Sequence, residues 1–137
     1  YCRAMREASV TVTEDRILPD RDAEGKVTVS LERLPKLPTA FACNCDVTAY
    51  VLLNALKENG IRVPEDVSVV GFDDYILADL AVPSLTTYAI DVDHMAKVSA
   101  QQLIRRIQKP EAEVRRIVVS GKLVIRESVQ KHSGNTA

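Results

Sequence analysis

The chain has little of what most catalytic or nucleic-acid-binding sites require. Its five glycines are scattered through 137 residues, which leaves no G-x-G-x-x-G turn and no phosphate-cradling P-loop. Its two histidines, His94 and His132, are far apart and have no cysteine or carboxylate pattern that would complete a metal site. No G-x-S-x-G elbow occurs, so Ser68, Asp73 and His94 do not make a hydrolase. Cys2, Cys43 and Cys45 are an odd set without C-x-x-C spacing, and the last two lie too near each other in one expected strand to bridge. They read as core or pocket-lining thiols. The formal net charge of -1, with no long Lys/Arg stretch, gives no bulk attraction for nucleic acid. No run approaches the roughly 18 apolar residues that span a bilayer, and no charged-then-apolar leader opens the sequence. A cytoplasmic, non-enzymatic domain is expected, without cofactor, metal or membrane partner.

What is present is ordinary globular material: 46% hydrophobic and 27% charged residues, enough for one core. Helix and strand patterns alternate with connections that suit βαβ units. Residues 1–8 read as the end of a helix, 16–18 as a short strand and 20–25 as a polar loop. Apolar positions at Val27, Val29, Leu31 and Leu34 suggest a helix over 26–34, although the β-branched residues argue against it. Residues 39–43 read as a strand, and Asp46 as the N-cap of a helix reaching Asn59 and stopped by Gly60. Residues 67–72 form an apolar, β-branched run suited to a buried parallel strand. A loop or short helix over 74–84 leads to a strand at 85–89. Asp91 or Asp93 caps a long helix to Gln108, ended before Pro110. Strands at 117–119 and 122–126 close the pattern, joined at Ser120-Gly121, and a mobile polar tail follows from about Ser128. The basic residues Arg105, Arg106, Lys109, Arg115 and Arg116 solvate the helix end and complement its dipole.

The most informative stretch is Val63-Pro-Glu-Asp-Val-Ser-Val-Val-Gly-Phe-Asp-Asp74, followed by Val82-Pro-Ser-Leu-Thr-Thr87. It places Asp73 and Asp74 at the carboxyl end of the strand, the edge where open α/β sheets bind ligands. These residues closely resemble the effector-binding core of the lactose/galactose repressor family of bacterial transcriptional regulators, with all twelve residues of the first run fitting its pattern without a gap. The resemblance implies a three-layer α/β/α parallel sheet of the periplasmic-binding-protein type, here as a partial domain made mostly of the carboxyl-terminal subdomain. Residues 1–128 would be that part, 91–119 would cross to an amino-terminal subdomain, and 129–137 would be a flexible tail. It also implies an effector-sensing, dimerising repressor core that binds a sugar or related small polar metabolite. Operator DNA would be bound only through a helix-turn-helix upstream of this chain, which is therefore expected to be a fragment. The alternative is a periplasmic sugar-binding protein of a transport system.

Carried over by position, the resemblance makes Asp73 the effector-facing carboxylate and Asp46 the Asp of an Asn-Asp pair. The pair's Asn is replaced by Cys45, and a thiol is a poor substitute for an amide with two donors and an acceptor. Asn44 is expected on the other face of the strand. An aromatic that stacks on a sugar in relatives is replaced by Asp20. Asp20, Cys45, Asp46 and Asp73 are thus the expected effector-binding set. The helix from Asp46 carries two apolar stripes: Ala49, Leu52, Leu53 and Leu56, which suit a sheet, and Val47, Tyr50 and Val51 nearly opposite. The family uses this helix in a two-fold contact, so Val47, Tyr50, Val51, Leu77, Leu80 and Ala81 are the expected homodimer surface. The stripe Val92, Met95, Ala96, Ala100, Leu103 and Ile107 needs a further surface, whether folded back, swapped or frayed.

Overall fold

In a computed structural model, which describes residues 1–131, a four-stranded mixed sheet has the order β1 (Ala40–Ala42), β2 (Ser68–Asp73), β3 (Thr86–Ala89), β4 (Lys122–Val124). The first three strands are parallel, with Phe41 opposite Val69 and Gly71 opposite Thr87. β4 runs antiparallel to β3, placing Leu123 opposite Tyr88. The parallel sheet expected from the pattern therefore has an antiparallel edge, a common device in α/β sheets.

Helix α2 (Asp46–Glu58) follows β1 and returns the chain over one face of the sheet, and the short α3 (Leu77–Leu80) lies beside it. The first apolar stripe does what its spacing predicts: Ala49, Leu52, Leu53 and Leu56 are buried with Val67, Val69, Ala78, Ala81 and Leu85 in a single core. The helix ends as expected, with Gly60 at φ +72°, where a side chain would be strained. Long helix α4 (Val92–Gln108) begins where the capping rule puts it: Asp91 Oδ1 accepts a 2.9 Å hydrogen bond from the His94 amide. It buries none of its residues, and Val92, Met95, Leu103, Ile104 and Ile107 stay exposed. Among the described residues its apolar stripe is not folded back onto the core.

Several expectations are corrected. Residues 26–34 are not a helix. Val27 pairs with Arg21 in an isolated antiparallel bridge, and only a 3₁₀ turn forms at Leu31–Arg33. Alternating Val27 and Val29 prefer extended backbone, and Val29 and Leu31 reach the core that way. Residues 16–18 form no strand. A 3₁₀ turn at Glu14–Arg16 gives way to extended backbone at Ile17, half exposed and paired with no neighbouring strand. Residues 117–119 form no strand either, and β4 pairs with β3 alone. Helix α1 (Cys2–Glu7) agrees with the sequence but buries no residue.

The mobile tail was also placed too early. Ser128 is fully buried, its Oγ donating to the Val69 carbonyl at 2.6 Å and accepting from the Thr86 amide at 2.8 Å. Its backbone carbonyl takes the Val69 amide at 2.8 Å, so the segment stitches β2 to β3 from below. Gln130 continues the contact, its amide reaching Ser68 Oγ at 3.2 Å. His132 and the expected tail at 132–137 lie outside the described residues.

Gly71 sits where β2 passes under the start of α2. A Cβ there would overlap Asp46 Oδ1 and stand 2.8 Å from Leu85 Cδ2. Gly71→Ala should therefore destabilise the chain by about 2 kcal/mol, the usual cost of overpacking a closed core, measured as a lower midpoint in urea without a change of slope.

Candidate functional site

The carboxyl ends of β1, β2 and β3 share one edge of the sheet, and the chain leaving each carries polar residues. After β1 these are Asn44, Cys45, Asp46 and, one turn into α2, Thr48. Asn44 Nδ2 donates to Asp20 Oδ2 at 2.8 Å, and Thr48 Oγ1 donates to the same oxygen at 3.2 Å. Cys45 Sγ lies 3.4 Å from Thr48 Oγ1. The polar loop is thereby tied to the strand end. The loop is itself folded by Asp22, whose Oδ1 accepts from the Glu24 and Lys26 amides, with Gly25 at φ +81°. The Asn44 hydrogen bond holds the Asp20 carboxyl below its usual range, helped by Thr48 and Arg21 and opposed by burial.

Asn44 was expected on the opposite face and is here a partner of Asp20. Strand alternation could not locate it because β1 ends at Ala42, and parity has no force beyond the ladder. Cys45, not Asp46, is the N-cap residue of α2, with no side-chain cap bond. Cys43 packs against the core, and burial, assisted by Cys45 and Asp46, pushes its thiol up to about 12, an unreactive state.

Asp46 is the larger correction. It is fully buried, and both oxygens are used inside the fold: Thr87 Oγ1 donates to Oδ1 at 2.6 Å and the Tyr75 amide to Oδ2 at 2.7 Å. It belongs to the scaffold beneath the site and is closed to an effector. Thr87, unassigned by the sequence reading, is equally buried, and its Oγ1 also lies 3.4 Å from the Asp74 amide.

Asp73 stands in contrast. Its backbone is at φ +108° and that of Asp74 at φ +58°, conformations that non-glycine residues rarely adopt. The turn aims Asp73 out of the end of β2, where it is partly buried and takes no side-chain hydrogen bond among the described residues. Burial raises its carboxyl above the ordinary value, and the charge of Asp46 adds to the effect. Asp74 turns the other way, onto Arg126 Nη2 at 2.9 Å. Beside this turn a cleft of about 550 Å³ is lined by residues that include Asp74, Ile90, Asp91, Ser120 and Lys122. Asp73 is not among the residues lining that cleft; its uncommitted carboxylate stands at the end of β2, between the end of β3 and the Asn44 and Cys45 that follow β1, to which the Asp20 loop is tied. No group of three or more His, Cys, Asp or Glu side chains among the described residues is placed to hold a metal.

The expected association surface is only partly outward-facing. Val47 and Leu80 are exposed, at 37% and 64%, while Val51 and Leu77 are half-buried. Tyr50 is also half-buried and packs partly against the core, whereas Ala81 is inside the core at 4% exposure and is not a free contact. Tyr75, Ile76 and Val82, not singled out before, are the exposed apolar residues around α3.

Comparison with known proteins agrees with this architecture. The periplasmic binding protein-like domain matches residues 1–129. The HTH-type transcriptional repressor PurR of Vibrio parahaemolyticus serotype O3:K6 (strain RIMD 2210633) is 37% identical over 134 residues, covering 96% of this chain and 40% of the repressor. Among solved structures, the cellobiose complex of the transcriptional regulator CelR superposes with a TM-score of 0.78 at 30% identity, over 93% of this chain and 40% of that one. The lac repressor dimer bound to operator and the anti-inducer ONPF gives 0.63 at 30% identity, over 69% and 32%. The fold defines a domain of the periplasmic-binding-protein type. The chain belongs to the periplasmic binding protein-like domain family, in its lactose/galactose repressor branch. It spans about two fifths of the length of the curated repressor with which it aligns.

A raised carboxyl pKa has a stability consequence. Asp73 binds its proton more readily folded than unfolded, so ionisation costs stability at neutral pH, and the cost disappears as pH falls below the unfolded carboxylate range. Asp73→Asn should raise the thermal midpoint at pH 7, and the gain should shrink towards zero as the pH of the melts is lowered to about 3.

Proposed function

We propose that this chain is the effector-sensing part of a bacterial transcriptional repressor, with Asp73 as the acceptor that holds the effector. The unpartnered, partly desolvated Asp73 carboxylate carries this reading. The other partly buried or turn acids on that edge are engaged: Asp20 by Asn44 and Thr48, Asp46 by Thr87 and Tyr75, Asp74 by Arg126 and Asp91 by the His94 amide, while Asp93, also on the cleft, is exposed to water rather than desolvated. A strained turn that spends backbone energy to hold a side chain outward is what a preorganised binding site requires. The effector is a small polar molecule that donates hydrogen bonds from hydroxyl or amine groups, as a sugar or related metabolite does. Asp20, Asn44 and Cys45 line the approach from the neighbouring strand. A binding rather than a catalytic role is supported by the transcriptional regulators with which the chain aligns.

In this reading the apolar face of α4 packs on the complementary subdomain, so the effector lies between two lobes. Its binding shifts DNA-binding heads, carried elsewhere in the polypeptide, between two arrangements. Association of two copies uses the outward residues of α2 and α3, namely Val47, Tyr75, Ile76, Leu80 and Val82. The repressor reading is favoured over a periplasmic transport component by the regulators with which the chain aligns over nearly its whole length. It places the protein in the cytoplasm, and no described helix is long and apolar enough to cross a membrane.

Two measurements test this. In the full-length regulator, Asp73→Ala should weaken effector binding by about 1–3 kcal/mol, the cost of removing a charged hydrogen-bond partner. Calorimetry showing unchanged affinity would take Asp73 out of the site. Leu80→Asp should lower self-association at micromolar concentration in sedimentation experiments, because the new carboxylate would be desolvated without a partner. An unchanged dimer, or a wild-type monomer, would place association elsewhere.

A further inference from the structure

Residues 126–128 lie far in sequence from the effector edge, yet Arg126 reaches its back. The guanidinium is largely buried, with the side chain 16% exposed, and its contacts divide between two elements. Nη2 meets Asp74 Oδ1 at 2.9 Å on the turn after β2, and Asp79 Oδ1 at 2.7 Å in the middle of α3. Nη1 donates to the Leu85 carbonyl at 3.0 Å. Its backbone is fixed as well: the Arg126 amide donates to Thr86 Oγ1 at 2.9 Å, whose hydroxyl returns to the Arg126 carbonyl at 3.2 Å. A single nitrogen therefore serves a carboxylate on each side, and the guanidinium cannot shift toward one without leaving the other. Helix α3 has four residues, too few to hold itself together, and its inner side is anchored by Ala78, whose carbonyl also accepts from the Leu85 amide at 2.8 Å, and by Ala81 just beyond it.

We propose that Arg126 is a positioning residue that joins the Asp73-Asp74 turn and α3 into one mechanical unit, so that occupancy of Asp73 is felt at the outward face of α3. The coupling to effector and partner rests on the repressor reading above; the mechanical link does not. Lysine cannot replace this arrangement, because both carboxylates meet Nη2 while Nη1 holds the Leu85 carbonyl, and one ammonium nitrogen on a shorter stem cannot stand at both positions.

Amide exchange on the whole chain, read residue by residue by NMR, separates this from a general structural role. Asp79 is 69% exposed, so Asp79→Asn keeps the fold. It should accelerate exchange at Leu80 and Ala81 by about threefold or more, with Ala49 and Leu53 in α2 unchanged. Arg126→Gln should accelerate both Tyr75 and the α3 amides by about tenfold, and Arg126→Lys should restore Tyr75 but not α3. The decisive reading is a double-mutant cycle on the Asp73 carboxyl carbon signal through its titration. Asp79→Asn should move that titration when Arg126 is present and leave it in place in the Arg126→Gln background. A shift of equal size in both backgrounds would mean direct electrostatics and overturn the proposal. So would exchange that rises uniformly across the chain, or not at all at α3. None of these readouts needs an effector or a dimer, so they can succeed where the binding and association tests fail, and the reverse.

Discussion

The buried carboxylate of Asp46 is the contact on which the rest of the site depends. A carboxylate fully removed from water must recover its lost hydration, and here it does so from two donors on different elements and from its place at the start of α2. The helix dipole at that end favours negative charge. Thr87 and Tyr75 supply the donors, which ties α2 to β3 and to the turn after β2. Gly71 makes the approach possible, since any side chain there would strike the same oxygen. Three separated parts of the sequence, at residues 46, 71–75 and 87, therefore meet at one group, and the residues they present at the sheet edge inherit its position.

Asp73 is downstream of this arrangement in both geometry and charge. The positive φ of Asp73 and Asp74 would relax in an isolated turn. It persists because Tyr75 is held to Asp46, the Asp74 amide lies against Thr87, and the Asp74 carboxylate is held by Arg126. With its neighbours so occupied, the turn leaves one carboxylate without an internal partner, in a place where burial and the nearby Asp46 charge both oppose its ionisation. The site is thus unfavourable for the empty chain in a way a hydrogen-bond donor would relieve.

How much of this could be read from the sequence follows from the range of the forces involved. The β-branched run at 67–72, the first apolar stripe of α2 and the Asp91 cap are set by neighbours within a turn or a strand, and each lies where the pattern predicts. Residues 26–34 misled because helical spacing of four apolar positions competed with the extended preference of Val27, Thr28 and Val29, and Pro35 and Pro38 follow at once. Asp46 reads as a helix cap because an acid at that spot is ordinarily one, and the family resemblance adds a ligand role; its pairing with Tyr75 and with Thr87, forty-one residues on, is a long-range matter that neither could reveal. The place of Asp73 at the end of β2 is legible from the strand pattern, whereas the contacts of Asn44, Thr48 and Ser128 are not, since each is made at long range.

Two of the exposed apolar regions, the α4 stripe and the Phe72-Tyr88 pair, differ in kind. The α4 residues Val92, Met95, Leu103, Ile104 and Ile107 belong to an element that contributes nothing to the core, so covering them would add an independent layer. Phe72 and Tyr88 are instead part of the sheet itself, stacked at 5.6 Å and 17° on the face opposite α2, with the Gly121 amide donating to the Tyr88 hydroxyl at 3.0 Å. Gly121 has no room for a side chain against Tyr88 and the Ala89 carbonyl, so the segment leading into β4 is pressed onto the ring. Phe72 immediately precedes Asp73. A surface that covered this aromatic pair would therefore press directly on the strand that carries Asp73, whereas a surface covering α4 would reach it through the Asp91 cap and β3. Of the two, the aromatic face offers the shorter physical path between a second lobe and the site.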